Sequence, residues 1–159
     1  MLVPILIGSK SDLSFAEKIV KLLNRFDIPT VIRVSSAHKT PKQLLNIVDS
    51  FEANRCPKVY ITVAGRSNAL SGMVDGAVSS PVISCPPYSD KFGGSDIFSS
   101  VRMPSGISPA LVLEPESAAL FAAKILAINN KKLKAKIKVY KQEIIDKVNS
   151  ADQALNTLR

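Results

Sequence analysis

Histidine, cysteine and aromatic side chains are scarce in this chain, and each shortage closes off some chemistry. Among 159 residues there is one histidine, His38, with two cysteines, Cys56 and Cys85, and no tryptophan. A lone imidazole cannot build a histidine-rich metal site, and the acidic residues show no metal-ligand spacing, so no metal is expected. Two cysteines are too few for a disulfide framework, and neither has the paired C-x-x-C spacing of a zinc site. Cys85, inside an apolar run, reads as core packing.

Long hydrophobic runs are missing too. No apolar stretch approaches the ~20 residues that cross a bilayer, so no membrane partner is expected. The N-terminal run from Leu2 to Ile7 lacks a basic leader, is interrupted by Pro4 and ends in Gly8-Ser9. It reads as a strand, not a signal peptide, and the expectation is a soluble, cytoplasmic protein.

Acidic residues are outnumbered, 13 to 21, for a formal net charge of +8. The excess is local: from Asn129 onward eight basic residues face three acidic ones, a net +5 that leaves +3 for everything before. Lys131, Lys132, Lys134, Lys136, Lys138 and Lys141 are not interleaved with stacking aromatics, and no nucleic-acid module surrounds them. They read as a solvated helix face, and nucleic acid is not expected as a partner.

The 46% hydrophobic content suffices for one sizeable core, so a single domain over residues 1–159 is expected. Short apolar runs at Leu2 to Ile7, Thr30 to Val34, Val59 to Val63, Val82 to Cys85 and Ala110 to Leu113 read as buried strands. Amphipathic helices alternate with them. Ile19, Leu22, Leu23 and Phe26 form an i, i+3, i+4, i+7 stripe, which Leu44, Ile47, Val48 and Phe51 repeat; Leu70, Met73, Val74 and Ala77 give a third. Thr40-Pro41-Lys42-Gln43 has the elements of a capping box, and Ser14 with Glu17 makes a similar pair. Such alternation predicts βαβ units with right-handed crossovers, hence an α/β fold, a three-layer αβα sandwich around a parallel five-stranded sheet. Glu116 to Asn129 is expected as an Ala-rich helix. Lys131 to about Asn149, extending to about 155, is expected as an added C-terminal helix with Leu133, Ile137, Tyr140, Ile144 and Val148 on one stripe. That stripe can pack on its own domain or on a second subunit, and the second is favoured because the sheet already has helices enough.

In an open parallel sheet ligands bind at the carboxyl ends of the strands, near the point where strand order reverses. Three strand-to-helix loops there are rich in small and polar residues. Gly8-Ser9-Lys10-Ser11-Asp12 precedes a helix N-terminus and suits a phosphate, although plain helix capping accounts for it as well. It matches neither a P-loop nor a dinucleotide fingerprint. In Ser35-Ser36-Ala37-His38-Lys39 the sole histidine sits in a loop beside a fixed cation, a placement suited to proton transfer, with an incidental loop histidine as the alternative. Ala64-Gly65-Arg66-Ser67-Asn68 combines close backbone approach with donors, or is a tight turn whose Ser67 or Asn68 caps a helix. Ser84-Cys85-Pro86-Pro87-Tyr88 and Met103-Pro104-Ser105-Gly106 read as rigid loops lining a pocket or a subunit contact.

At these residues the chain resembles the PurE family of aminoimidazole ribonucleotide (AIR) carboxylases and mutases. The resemblance rests on Gly8-Ser9-Lys10-Ser11-Asp12, Ser36-Ala37-His38-Lys39-Thr40-Pro41 and Met103-Pro104-Ser105-Gly106, in order and over nearly the whole chain. Gly65-Arg66-Ser67-Asn68 and Ser84-Cys85-Pro86-Pro87 are similar to the branch that includes the carboxylase portion of the bifunctional animal purine enzyme. The mutase branch carries a second histidine in the third loop and an arginine where Lys39 stands. The resemblance implies a flavodoxin-like fold, assembly as a homo-octamer, and direct addition of CO2 to AIR to give carboxyaminoimidazole ribonucleotide (CAIR), with no cofactor. It also implies His38 as the proton-transfer group, with Ser36 and Lys39 beside it. Gly8, Ser9, Ser11 and Asp12 would hold the phosphoribosyl part. Ser36, Arg66, Ser67 and Asn68 would orient the ring and the new carboxylate, near a niche for CO2 at Ala37, Ala64 and Gly65. The alternatives are the mutase reaction, or a nucleotide-binding module on the same fold without catalysis.

Overall fold

The structure, a computed structural model, describes residues 1–156; the last three residues of the expected domain lie outside the described residues. Five parallel strands, β1 (Val3–Ile7), β2 (Thr30–Val34), β3 (Tyr60–Val63), β4 (Val82–Ser84) and β5 (Ala110–Leu111), form one sheet in the order β2-β1-β3-β4-β5. Each lies at its expected place, some a residue or two shorter than its apolar run. The order is the doubly wound, flavodoxin-like one, and it reverses between β1 and β3.

The sheet is covered on both faces because successive strand residues point to opposite sides. Val3, Ile5 and Ile7 of β1 and Ile61 and Val63 of β3 share one core with Ala16, Ile19 and Leu23 of helix α1 (Leu13–Arg25). Ala118, Ala119, Ala122 and Ala123 of α5 (Pro115–Leu126) belong to the same core, and their small side chains let two helices lie side by side on the sheet. On the other face Leu6, Tyr60 and Val82 pack with Leu44, Ile47 and Val48 of α2 (Pro41–Glu52) and with Leu70 and Val74 of α3 (Ala69–Ala77). Removing a fully buried Leu or Ile from water stabilises the fold by roughly 1.5–3 kcal/mol, so these stripes carry most of its cohesion.

Four expectations need correction. The second strand was read as buried, but β2 pairs on one side only, and Val31 and Val34 are 39% and 47% exposed. Ser14 is not a cap: the Lys10–Asp12 turn of 3-10 helix runs directly into α1, so Ser14 falls inside the first turn. Thr40 stands at the N-cap of α2 without capping it, because its hydroxyl turns back to the preceding loop. The fourth concerns the C-terminal helix α6 (Lys131–Asn156). The first half of its stripe serves its own domain: Leu133 and Ile137 are buried, and Tyr140 meets Phe26 edge-on at 5.5 Å between ring centroids. Arg25 sits over the Tyr140 ring and pairs with Glu143 at 2.6 Å, and Lys136 pairs with Asp27. Ile144 and Val148, further along, are exposed.

The run between β4 and β5, read from sequence only as loops, contains a short turn of 3-10 helix (Lys91–Ile97) and helix α4 (Phe98–Val101). Phe92, Gly93 and Gly94 all take positive φ there, which breaks any regular period.

Candidate active site

A cleft of about 370 Å³ opens at the carboxyl ends of β1, β2 and β3, where the strand order reverses. It is lined by all three polar loops: Gly8, Ser9, Ser11 and Asp12 from the first, Ser36, Ala37, His38 and Lys39 from the second, and Ala64, Gly65, Arg66 and Ser67 from the third. Its size is that of a small-molecule site.

The first loop is wound tightly by its own side chains. Ser9 Oγ accepts the Ser11 N–H at 3.3 Å and lies 3.0 Å from Ser11 Oγ, while the Gly8 N–H is held by the Val63 carbonyl at 2.9 Å. Gly8 sits where β1 and β3 come together, and a Cβ there would rest in van der Waals contact with the Ala64 Cβ, 3.4 Å away. Among the described residues Asp12 is the one carboxylate lining the cleft. Burial raises its pKa above the usual carboxylate value, partly opposed by hydrogen bonds from the Ser11 side chain and the Ser9 backbone.

The second loop presents His38 at the tip of a closed turn. Thr40 Oγ1 accepts the Ser36 N–H at 3.0 Å and donates to the Ser36 carbonyl, while the Thr40 N–H returns to the same carbonyl at 2.9 Å. Ser36 Oγ accepts the Lys39 N–H at 3.2 Å, and Ser35, buried beneath, contacts Thr40 Oγ1 at 3.0 Å. The backbone is thus fixed on both sides of His38 while the imidazole itself is exposed to the cleft.

The third loop divides. Arg66 and Ser67 line the cleft, but Asn68 turns inward and is 4% exposed. Its Nδ2 donates to Ser84 Oγ at 2.8 Å and to Ser100 Oγ at 2.9 Å, and its Oδ1 accepts from Ser71 N as the N-cap of α3. Its amide is occupied within the protein, so the expected contact between Asn68 and a ligand is replaced by a bracing role. The Met103-Pro104-Ser105-Gly106 loop is also away from the cleft; Met103 and the neighbouring Ile107 pack against Gly72 and Gly76 of α3.

Among the described residues three cations, Lys39, Arg66 and Lys91, stand around this cleft against the single carboxylate of Asp12. That balance suits a ligand carrying a phosphate and a second anionic group. The family profile described as AIR carboxylase matches residues 2–147. The chain belongs to the AIR carboxylase family. A phosphoribosylaminoimidazole carboxylase of Treponema denticola is 52% identical over 154 residues, covering 97% of each chain. One from Archaeoglobus fulgidus is 51% identical over 151 residues, covering 95% of this chain and 83% of the relative. The carboxylase/succinocarboxamide synthetase of Rattus norvegicus is bifunctional and 42% identical over 153 residues, which make up 36% of that longer protein. The crystal structure of Treponema denticola PurE superposes with a TM-score of 0.95 at 52% identity, covering 97% of this chain and 98% of that one.

Within this AIR carboxylase fold the cleft holds residues that the sequence reading did not single out. Leu70, Ser89 and Lys91 line it beside Pro87 and Tyr88, which were expected at a pocket or a subunit contact. Lys91 gave no signal, since one lysine in an aperiodic Ser/Gly-rich stretch looks like any solvated loop residue.

Proposed function

We propose that this chain is an AIR carboxylase that adds CO2 to the ring carbon of AIR, giving CAIR in purine synthesis, with His38 as the proton-transfer group. The observation that supports it best is the meeting of the Gly8–Asp12, Ser36–Lys39 and Ala64–Ser67 loops around one cleft with His38 inside it.

The chemistry needs little from the protein. AIR is an electron-rich enamine, so its ring carbon attacks the carbon of CO2, forming a C–C bond while one C=O electron pair moves onto oxygen as carboxylate. The ring carbon then carries both hydrogen and carboxylate. His38 takes that proton, the C–H pair returns to the ring to restore aromaticity, and the proton passes to solvent. Substrate nucleophilicity supplies the driving force, so ATP, biotin and metal have no step to perform.

Gly8, Ser9, Ser11 and Asp12 hold the phosphoribosyl part, the serines towards phosphate and the Asp12 carboxylate towards ribose hydroxyls, and Lys39 completes the anion site. Arg66 and Ser67, with Ser36, orient the ring and the new carboxylate. Ala37, Ala64 and Gly65 give the cleft a small apolar niche for CO2, which has no charge to bind.

The whole of residues 1–159 acts as one domain in this reading. The partly uncovered stripe of α6, at Ile144 and Val148, supports homo-oligomers, with an octamer as the assembly. No described helix is long and apolar enough to cross a membrane, and the lysines of α6 serve as a solvated face, not a nucleic-acid contact. A phosphorylated substrate, which does not cross membranes freely, supports a cytoplasmic location.

The test is conversion of AIR by purified protein in bicarbonate without ATP, with the carboxyamino isomer, carrying its carboxylate on the exocyclic nitrogen, as the comparison substrate. CAIR formed from AIR in proportion to dissolved CO2 supports the carboxylase; turnover of the isomer alone replaces it with the mutase.

A further inference from the structure

Arg66 lines the cleft from a backbone that a non-glycine residue rarely adopts, with φ at +57°. Left-handed backbone of this kind is strained and persists only where its surroundings over-determine it. The surroundings here come from the segment thirty residues on. The Arg66 N–H donates to Asp96 Oδ2 at 3.1 Å. On its other side the Arg66 carbonyl lies 2.7 Å from Ser99 Oγ, whose single proton it shares with the Asp96 carbonyl at 2.8 Å. Ser99 Oγ in turn accepts the Asn68 N–H at 3.0 Å. Both peptide groups of Arg66 are therefore gripped by one short segment, and Asn68 is tied to the same segment through Ser100.

We infer that Asp96, with Ser99, is a positioning residue for the carboxylation reaction: its carboxylate holds the left-handed backbone of Arg66 and so sets where the guanidinium enters the cleft. The inference rests on the proposed function for what Arg66 does there. A carboxylate accepting a backbone N–H is a strong, directional restraint. Without it Arg66 relaxes towards an ordinary backbone conformation, and relaxation about φ swings the whole side chain away from the cleft. Asp96 itself is not among the residues that line the cleft. It acts through Arg66 and not on the substrate.

A merely structural Asp96 and a positioning Asp96 differ in how its loss combines with loss of the Arg66 side chain. The experiment is a double-mutant cycle of Asp96→Ala and Arg66→Ala in the full chain, read as kcat/KM for AIR in bicarbonate and as AIR affinity by calorimetry. Asp96→Ala alone is expected to lower kcat/KM by roughly 10- to 100-fold, the cost of misplacing a substrate-orienting group. On the Arg66→Ala background the same change is expected to cost less than about twofold. Asp96→Asn, which keeps an acceptor oxygen, is expected to restore activity to within about fivefold of wild type. Equal cost on both backgrounds overturns the inference even if the enzyme is an AIR carboxylase. If wild type binds AIR without carboxylating it, the functional reading fails and the affinity cycle decides the positioning role. If it binds no AIR, both fall. Should Asp96→Ala lack a cooperative melt, Ser99→Ala enters the same cycle with the same expectation.

Discussion

Thr40 Oγ1 accepts the Ser36 N–H at 3.0 Å, closing the turn that carries His38. One hydroxyl beyond the imidazole thus ties back to the two residues before it, since Ser35 and the Ser36 carbonyl reach it as well. Thr40→Val keeps the shape and deletes these bonds. The expected loss in stability is about 1 kcal/mol, because water reaches the half-exposed turn and replaces part of what is lost. The loss in kcat is expected to be larger, about tenfold, because the backbone holding His38 loosens. Thr40→Ser should restore both. Thermal melts and steady-state rates on the two variants check this, and a kcat unchanged in Thr40→Val would show that the turn does not position the imidazole.

The side chain of His38 is exposed and serves no packing role, so His38→Asn is expected to leave the melting temperature unchanged. Its kcat is expected to fall by about 10²- to 10⁴-fold, with AIR affinity retained. Turnover near the wild-type rate would remove His38 from the mechanism.

Asp12 predicts a trade between stability and binding. Burial raises its folded pKa above the ordinary carboxyl value of 3.8, so between 3.8 and the folded value the native state binds more protons than the unfolded chain. Stability therefore falls as pH rises through that window, and the cost is fully present at neutral pH. Asp12→Asn removes it: the variant should melt at a temperature equal to or above wild type at pH 7, with the advantage gone below about pH 3.8. AIR binding should weaken at the same time. A variant less stable than wild type at pH 7 would mean that the carboxylate is structural.

The two cysteines should behave differently towards thiol reagents. Cys85 is wholly buried, and desolvation, with nearby Glu114 and Glu116, pushes its thiol up to about 12. Cys56 is partly exposed. An alkylating reagent at pH 8 is expected to label Cys56 in the native protein and Cys85 only after denaturation, with no loss of activity in the first stage. Peptide mapping by mass spectrometry reads the sites, and rapid native labelling of Cys85 would contradict its place in the core.

Most of the fold is legible in the sequence because the apolar periods are strong where packing is two-sided. Val3, Ile5 and Ile7 and the Ile19, Leu22, Leu23 stripe face a core that leaves no other arrangement. Val31 and Val34 show the limit, since a central and an edge strand use the same β-branched residues and differ only in which neighbours arrive later in the chain. The cleft was legible for a different reason: the strand-to-helix loops of a parallel sheet must converge at one end, so their polar residues meet. What the sequence did not show is which polar groups face inward. Asn68 resembles a ligand donor until Ser84 and Ser100 are brought to it, and Asp96 has no visible tie to Arg66 because the pairing spans thirty residues through a run of left-handed backbone.

The central claim, that His38 works on the ring carbon of a phosphoribosylated imidazole, is tested most directly by a crystal structure of the His38→Asn variant with AIR bound. The account predicts the phosphate against Ser9, Ser11 and Lys39, and an AIR ring carbon that lies about 3–3.5 Å from the position a histidine nitrogen would occupy. A ring carbon turned away from residue 38, or AIR bound outside the cleft, would contradict it.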